Sequence, residues 1–203
     1  MISPQASFDT LQLLDTVGAS TNGVTLGELQ VLDYLGCLLS VYDGARARDW
    51  GFRFSVTETG APFAKDIAEA VGWLGRTGWI EQDDRVFRLT QGGCVELEFQ
   101  RSLAPNDRRL RYLDASASAT LSMPLPSLSN ALSKEPGLNR ALGFMRHKML
   151  LDETSLELVS DQFEALSEAL KRPRDDDEDL TVPTVVWLAY LADEYGSAES
   201  QAA

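Results

Sequence analysis

A mainly α fold is predicted for this 203-residue chain by three observations. Apolar residues recur every three to four positions along several long segments. Apolar–polar alternation is confined to short stretches around residues 50–56 and 86–89. The apolar share of 44% and charged share of 24% are those of a globular protein, and 203 residues suffice for one large domain or two small ones.

The elements follow in order. Residues 1–24 are polar, with Gly18, Ser20, Thr21, Asn22 and Gly23 towards the end, and are expected to form an N-terminal arm holding at most a short helix near Phe8–Leu14. Thr25 opens a helix whose stripe is Leu26, Leu29, Leu32, Leu35, Leu38, Leu39 and Tyr42; Glu28, three residues after Thr25, completes a capping box, and Asp43-Gly44 ends the helix. Trp50, Phe52, Phe54 and Val56 alternate as in an extended segment. Pro62 suits the first turn of a second helix, with Phe63, Ile67, Ala70, Val71 and Leu74 as its stripe and Gly78 as its end. Trp79-Ile80, the polar turn Glu81–Asp84 and the strand Val86–Leu89 read as a hairpin, and Thr90–Gly93 starts a further helix.

That succession resembles the winged helix over residues 25–103: two helices, a glycine, a small β-hairpin wing, then Leu89-Thr90 and Gly93 at the entry to the next helix. A helical region is expected over 104–170, opened by Asn106 as a cap and broken at Pro124 and Pro126. The segment 171–181 runs from Lys171-Arg172-Pro173-Arg174 into Asp175–Asp179 and reads as a charged, exposed linker. A helix and tail complete the chain over 182–203, with Val185, Val186, Leu188 and Leu191 apolar around much of the helix.

Charge narrows the function. Lys+Arg 18 against Asp+Glu 31 gives a net charge of -13, which repels phosphate backbones and anionic lipid. Two cysteines, Cys37 and Cys94, cannot form a disulfide framework, and no signal-like start or membrane-length apolar run is seen, so a cytoplasmic location is expected with no membrane partner. No catalytic, cofactor-binding or metal-binding set is expected. His147, the sole histidine, lies on a basic turn with no nucleophile elbow near it, no phosphate-binding glycine loop occurs, and the acidic run 175–179 lacks the spacing of a calcium loop. The chain is therefore read as a non-enzyme without cofactors.

The helix over 62–77 would be the one to enter a major groove, yet Lys65 and Arg76 are balanced by Asp66 and Glu69. Trp50, Phe63, Trp73, Trp79 and Trp187 are instead the expected anchors for partner proteins, since large aromatics dominate interface energetics. Arg85, Arg88, Arg108, Arg109 and Arg111 are candidate phosphate contacts, for non-specific DNA contact within a complex; Arg140, Arg146, His147 and Lys148 form a second basic cluster.

The runs Leu35–Gly44, Asp49–Phe54 and Thr59–Phe63, together with Val182–Leu188, resemble the small middle component of bacterial ABC-three-component defence systems of the Lamassu type. The resemblance implies a non-catalytic adaptor subunit that links an SMC-like ATPase to an effector in a DNA-sensing complex, with the ATPase and effector as protein partners. The alternative is a winged-helix DNA-binding transcription regulator, which rests on fold alone.

Overall fold

The computed structural model describes residues 2–123, 125–135, 137–139, 149–151 and 180–193, and its architecture is mainly helical with a few short strands. The cluster of Arg140, Arg146, His147 and Lys148, the helix expected from Asp152 and the acidic run 175–179 lie outside those residues.

The chain begins with a helix, α1 (Pro4–Thr21), where an arm was expected. Ser3 caps it by accepting from the amide of Ala6, and Pro4 occupies the first turn, where its missing N–H costs nothing. Asn22, at φ 61°, closes it. This corrects the reading of residues 1–24 as an arm and extends the short helix that was the alternative near Phe8–Leu14. α1 is the central helix, packed against α2 (Leu26–Tyr42), α3 (Lys65–Thr77), α4 (Gln91–Arg101) and α5 (Asp107–Leu121). Its apolar face (Ala6, Phe8, Leu11, Leu13, Leu14, Val17) is buried, and so are Ser7, Asp9, Thr10 and Gln12. Burial of those polar groups is tolerable because each finds a partner: Thr10 donates to the Ala6 carbonyl at 2.7 Å, and Gln12 donates to Asp114 at 2.7 Å.

The capping box of α2 forms as expected. Thr25 Oγ1 accepts from the Glu28 amide at 3.2 Å, and Glu28 Oε2 accepts from the Thr25 amide at 2.7 Å. Before it, Val24–Thr25 forms β1. β2 (Ser55–Val56) pairs antiparallel with β3 (Pro62–Phe63), and Phe52, Phe54 and Val56 all turn into the core. Pro62 thus lies in a strand and not in the first turn of a helix. Gln30 decides this: its side chain accepts from the Ala64 amide at 2.6 Å and donates to the Ala64 carbonyl at 3.0 Å, holding the chain extended until Lys65.

β4 (Ile80–Asp83) and β5 (Val86–Leu89) form the expected hairpin about Asp84, at φ 54°, and β1 adds to β5 to give the sheet order β1-β5-β4. Thr90 then caps α4 by accepting from Gly93 at 3.1 Å, while its own hydroxyl donates to the Gly78 carbonyl at 2.8 Å. A side chain at Gly93 would put its Cβ 2.0 Å from the Trp79 carbonyl oxygen. Gly93→Ala is therefore expected to destabilise the protein towards the upper end of the ~1–3 kcal/mol typical of overpacking, because the obstacle is backbone, with the loss read as a lower urea midpoint.

The break at residues 104–106 is a turn in the chain and not a gap in the core, since α5 packs on α2 and α1. Asn106 does not cap α5; its side chain donates back to the Gln100 carbonyl at 2.8 Å. α6 (Leu125–Lys134) and α7 (Thr181–Asp193) pack on each other, and α7 also lies on α5. Asn130 and Lys134 both donate to the Ala192 carbonyl at 3.1 Å, the latter placing positive charge at a helix C-terminus. Behind α6, buried Glu135 accepts from Tyr34 at 2.9 Å and from the amides of Gly137 and Leu138 at 3.0 and 2.8 Å, tying α2 to the chain after α6.

Candidate protein-interaction surface

α3, the β4–β5 hairpin and α4 are successive in sequence and share a side of the molecule around Trp73 and Trp79. The two indoles meet edge to face at 5.1 Å, and both are half-buried. They brace α3 against the hairpin, so most of their area is spent within the chain. Phe63, on β3, is also half-buried. Trp50 and Trp187, expected as partner anchors, are 3% and 2% exposed: both are core residues, and that expectation is corrected. Trp50 sits in a 3₁₀ turn at Ala47–Trp50 against α2, and Trp187 is covered where α7 lies on α5 and α6.

The arginines do not form one basic face. Arg85 at the hairpin turn and Arg108 on α5 are exposed. Arg88 donates to the Asn22 carbonyl at 2.7 Å and pairs with Asp83 at 3.3 Å. Arg111 pairs with Asp43 at 2.9 Å, and Tyr112 donates to the same carboxylate at 2.6 Å, which together with burial pushes its phenol up to about 12. Arg109 is withdrawn altogether. It makes a bidentate ion pair with Asp9, its third nitrogen donates to the Trp50 carbonyl at 2.7 Å, and its guanidinium stacks 3.8 Å from the centre of the Trp50 ring. Its candidacy as a phosphate contact is corrected: its charge is consumed by a carboxylate in the core.

A second carboxyl completes that cluster. Asp33 is fully buried; its Oδ1 accepts from Trp50 Nε1 at 3.1 Å, and its Oδ2 meets no donor. Burial pushes the Asp33 carboxyl well up, and the neighbouring Asp9 charge pushes it in the same direction. With the Asp33 carboxyl protonated and sharing its proton with Asp9, one carboxylate is left for one guanidinium. The sign follows. The native state keeps a proton that the unfolded chain releases at the ordinary carboxylate value, so stability is greatest below that value and falls as pH rises towards the native pKa. Asp9 and Glu135, also raised by burial, act in the same direction. Asp33→Asn, whose amide mimics the protonated acid, is expected to match the parent's melting temperature near pH 4, exceed it at pH 8 and show a shallower slope between. An Asp33→Asn protein whose stability runs parallel to the parent's over that interval would refute the assignment.

The surface that sequence reasoning missed is on α4. Leu97 and Gly93 face the interior, whereas Val95, Phe99 and Leu103 are 68%, 60% and 41% exposed. The spacing of four puts Val95 and Phe99 on one side of α4, and Leu103 lies two residues past its end in extended backbone. The signal was present in the sequence, because an 11-residue surface helix with two apolar stripes can turn only one of them inward.

No protein-family model, curated protein or solved structure matches this chain. Among the described residues, no helix is long and apolar enough to cross a membrane.

Proposed function

We propose that this chain is a non-catalytic adaptor subunit built on a winged helix, linking an SMC-like ATPase to an effector in a bacterial DNA-sensing defence complex. The order α1, β1, α2, α3, β4, β5 with sheet order β1-β5-β4 supports the winged-helix reading, with α1 and β1 as its first two elements and the wing at β4–β5. The observation that carries the functional reading is the charge of the face that would meet DNA. Over α3 and the hairpin, Lys65, Arg76, Arg85 and Arg88 stand against Asp66, Glu69, Glu81, Asp83 and Asp84. Lys65 is paired with Glu69 at 3.0 Å and Arg88 with Asp83. Five acids against four bases give a duplex nothing to exchange for its counterions. The apolar stripe of α4, by contrast, is a surface for protein.

Co-expression with an SMC-like ATPase encoded beside it is expected to yield a complex that survives size-exclusion chromatography; a chain that elutes alone in the ATPase's presence would overturn the proposal. A transcription-regulator reading draws on one observation, Arg85 exposed at the wing turn. A mobility shift at low salt on the gene's own upstream DNA tests it, and no shift there removes it, since electrostatic affinity is then greatest.

A further inference from the structure

We infer that the apolar patch formed by Val95 and Phe99 of α4 and Leu103 just beyond it docks an amphipathic helix of a partner protein whose apolar stripe is flanked by lysine or arginine. The inference deepens the adaptor reading, and rests on it only for the partner's being a protein. Val95 and Phe99 stand one turn apart on α4, and Leu103 follows in extended backbone two residues beyond its end, so the three form an exposed apolar patch at the C-terminal end of the helix, the kind of surface that accepts the apolar anchors of an incoming helix.

The flanks decide what kind of helix fits. Glu98 lies on one side of the stripe, its side chain 71% exposed, and Glu96 on the other. Arg101 is shared: it is held by Asp15 of α1 at 2.6 Å and by Gln12 at 2.9 Å, and it reaches Glu98 at 2.8 Å. Among the described residues, Glu96 and Glu98 thus give the patch an acidic rim, on a chain whose net charge is -13. A second copy of this chain would set Glu96 and Glu98 against their own counterparts, and like charges facing across an interface oppose association. An acidic rim around an apolar stripe selects a basic-flanked helix by the same rule.

The test uses the full chain and two fluorescein-labelled helical peptides with identical Leu stripes, one flanked by Lys and one by Glu, measured by fluorescence anisotropy at moderate salt. The Lys-flanked peptide is expected to bind at least about tenfold more tightly than the Glu-flanked one. Phe99→Ala should weaken it by about tenfold or more, as for the truncation of a central anchor. Phe99 is exposed, so that variant folds, and an unchanged melting temperature establishes this. Glu96→Lys/Glu98→Lys should reverse the preference between the peptides. Equal binding of the two peptides, or binding indifferent to Phe99→Ala, would overturn the inference. So would concentration-dependent self-association that Phe99→Ala abolishes, because a second copy would then be the occupant. The two readings fail separately: Lys-peptide selectivity without ATPase co-purification removes the adaptor and keeps the docking face. Co-purification that survives Phe99→Ala, with no peptide selectivity, does the reverse.

Discussion

Replacing Arg109 with Met is expected to destabilise this protein by about 3–5 kcal/mol, the range for breaking a buried ion pair from one side. The residue is 8% exposed, and Asp9 is 0% exposed with both oxygens committed to it. Removing the guanidinium strands a carboxylate among apolar neighbours, and with it goes the stacking on Trp50 and the bond to the Trp50 carbonyl. For a chain of this length the loss corresponds to a fall in melting temperature of roughly 6–20 °C. Two further measurements separate this cause from a simple packing loss. The penalty should shrink as pH falls, because a stranded Asp9 relieves itself by taking a proton. Asp9→Asn/Arg109→Met should be less damaged than Arg109→Met alone, since no charge is then left unpaired. Arg109→Lys should recover only part of the loss, as an ammonium can neither bridge both oxygens nor stack as a planar fork does. An Arg109→Met protein as stable as the parent at pH 7.5 would mean that Asp9 and Arg109 do not pair in solution.

Trp187→Ala is the second large effect, also about 3–5 kcal/mol, now from a vacated core site. Trp187 lies with Leu188 and Leu191 on the inner side of α7, where the helix meets α5 and α6, and all three are nearly inaccessible. The result discriminates between two roles that the sequence left open. A core residue lowers the thermal midpoint of the isolated chain; a partner anchor leaves that midpoint unchanged and weakens only the complex. Val182, on the same helix but 46% exposed, is the control, and Val182→Ala is expected to stay within about 0.5 kcal/mol of the parent.

Local features of the fold were legible because they depend on neighbours in sequence. The capping box at Thr25 and Glu28, the end of α3 at Gly78, the hairpin about Asp84 and the cap at Thr90 are each written within a few residues, where backbone and side-chain chemistry act alone. Pro62 shows the limit. Its local preference suited a helix start, yet Gln30 holds Ala64, 34 positions on from it, extended.

Residues 1–24 looked like an arm for a related reason. Asp9, Gln12 and Asp15 lie in a stretch that is polar in sequence, and Arg101, Arg109 and Asp114 arrive from 86 to 102 positions along the chain to satisfy them. The same event withdrew Arg109 from the basic cluster it shares in sequence with Arg108 and Arg111. By itself, then, the sequence determined the helix and cap at Thr25, the hairpin, the cap at Thr90 and the net charge, all of which sum local terms. Only the tertiary structure decided which aromatics are core, which arginines are spent and which stripe of α4 faces outward. Burial is a property of the whole packed chain, and a buried polar group is tolerated or ruinous according to partners that folding alone brings near.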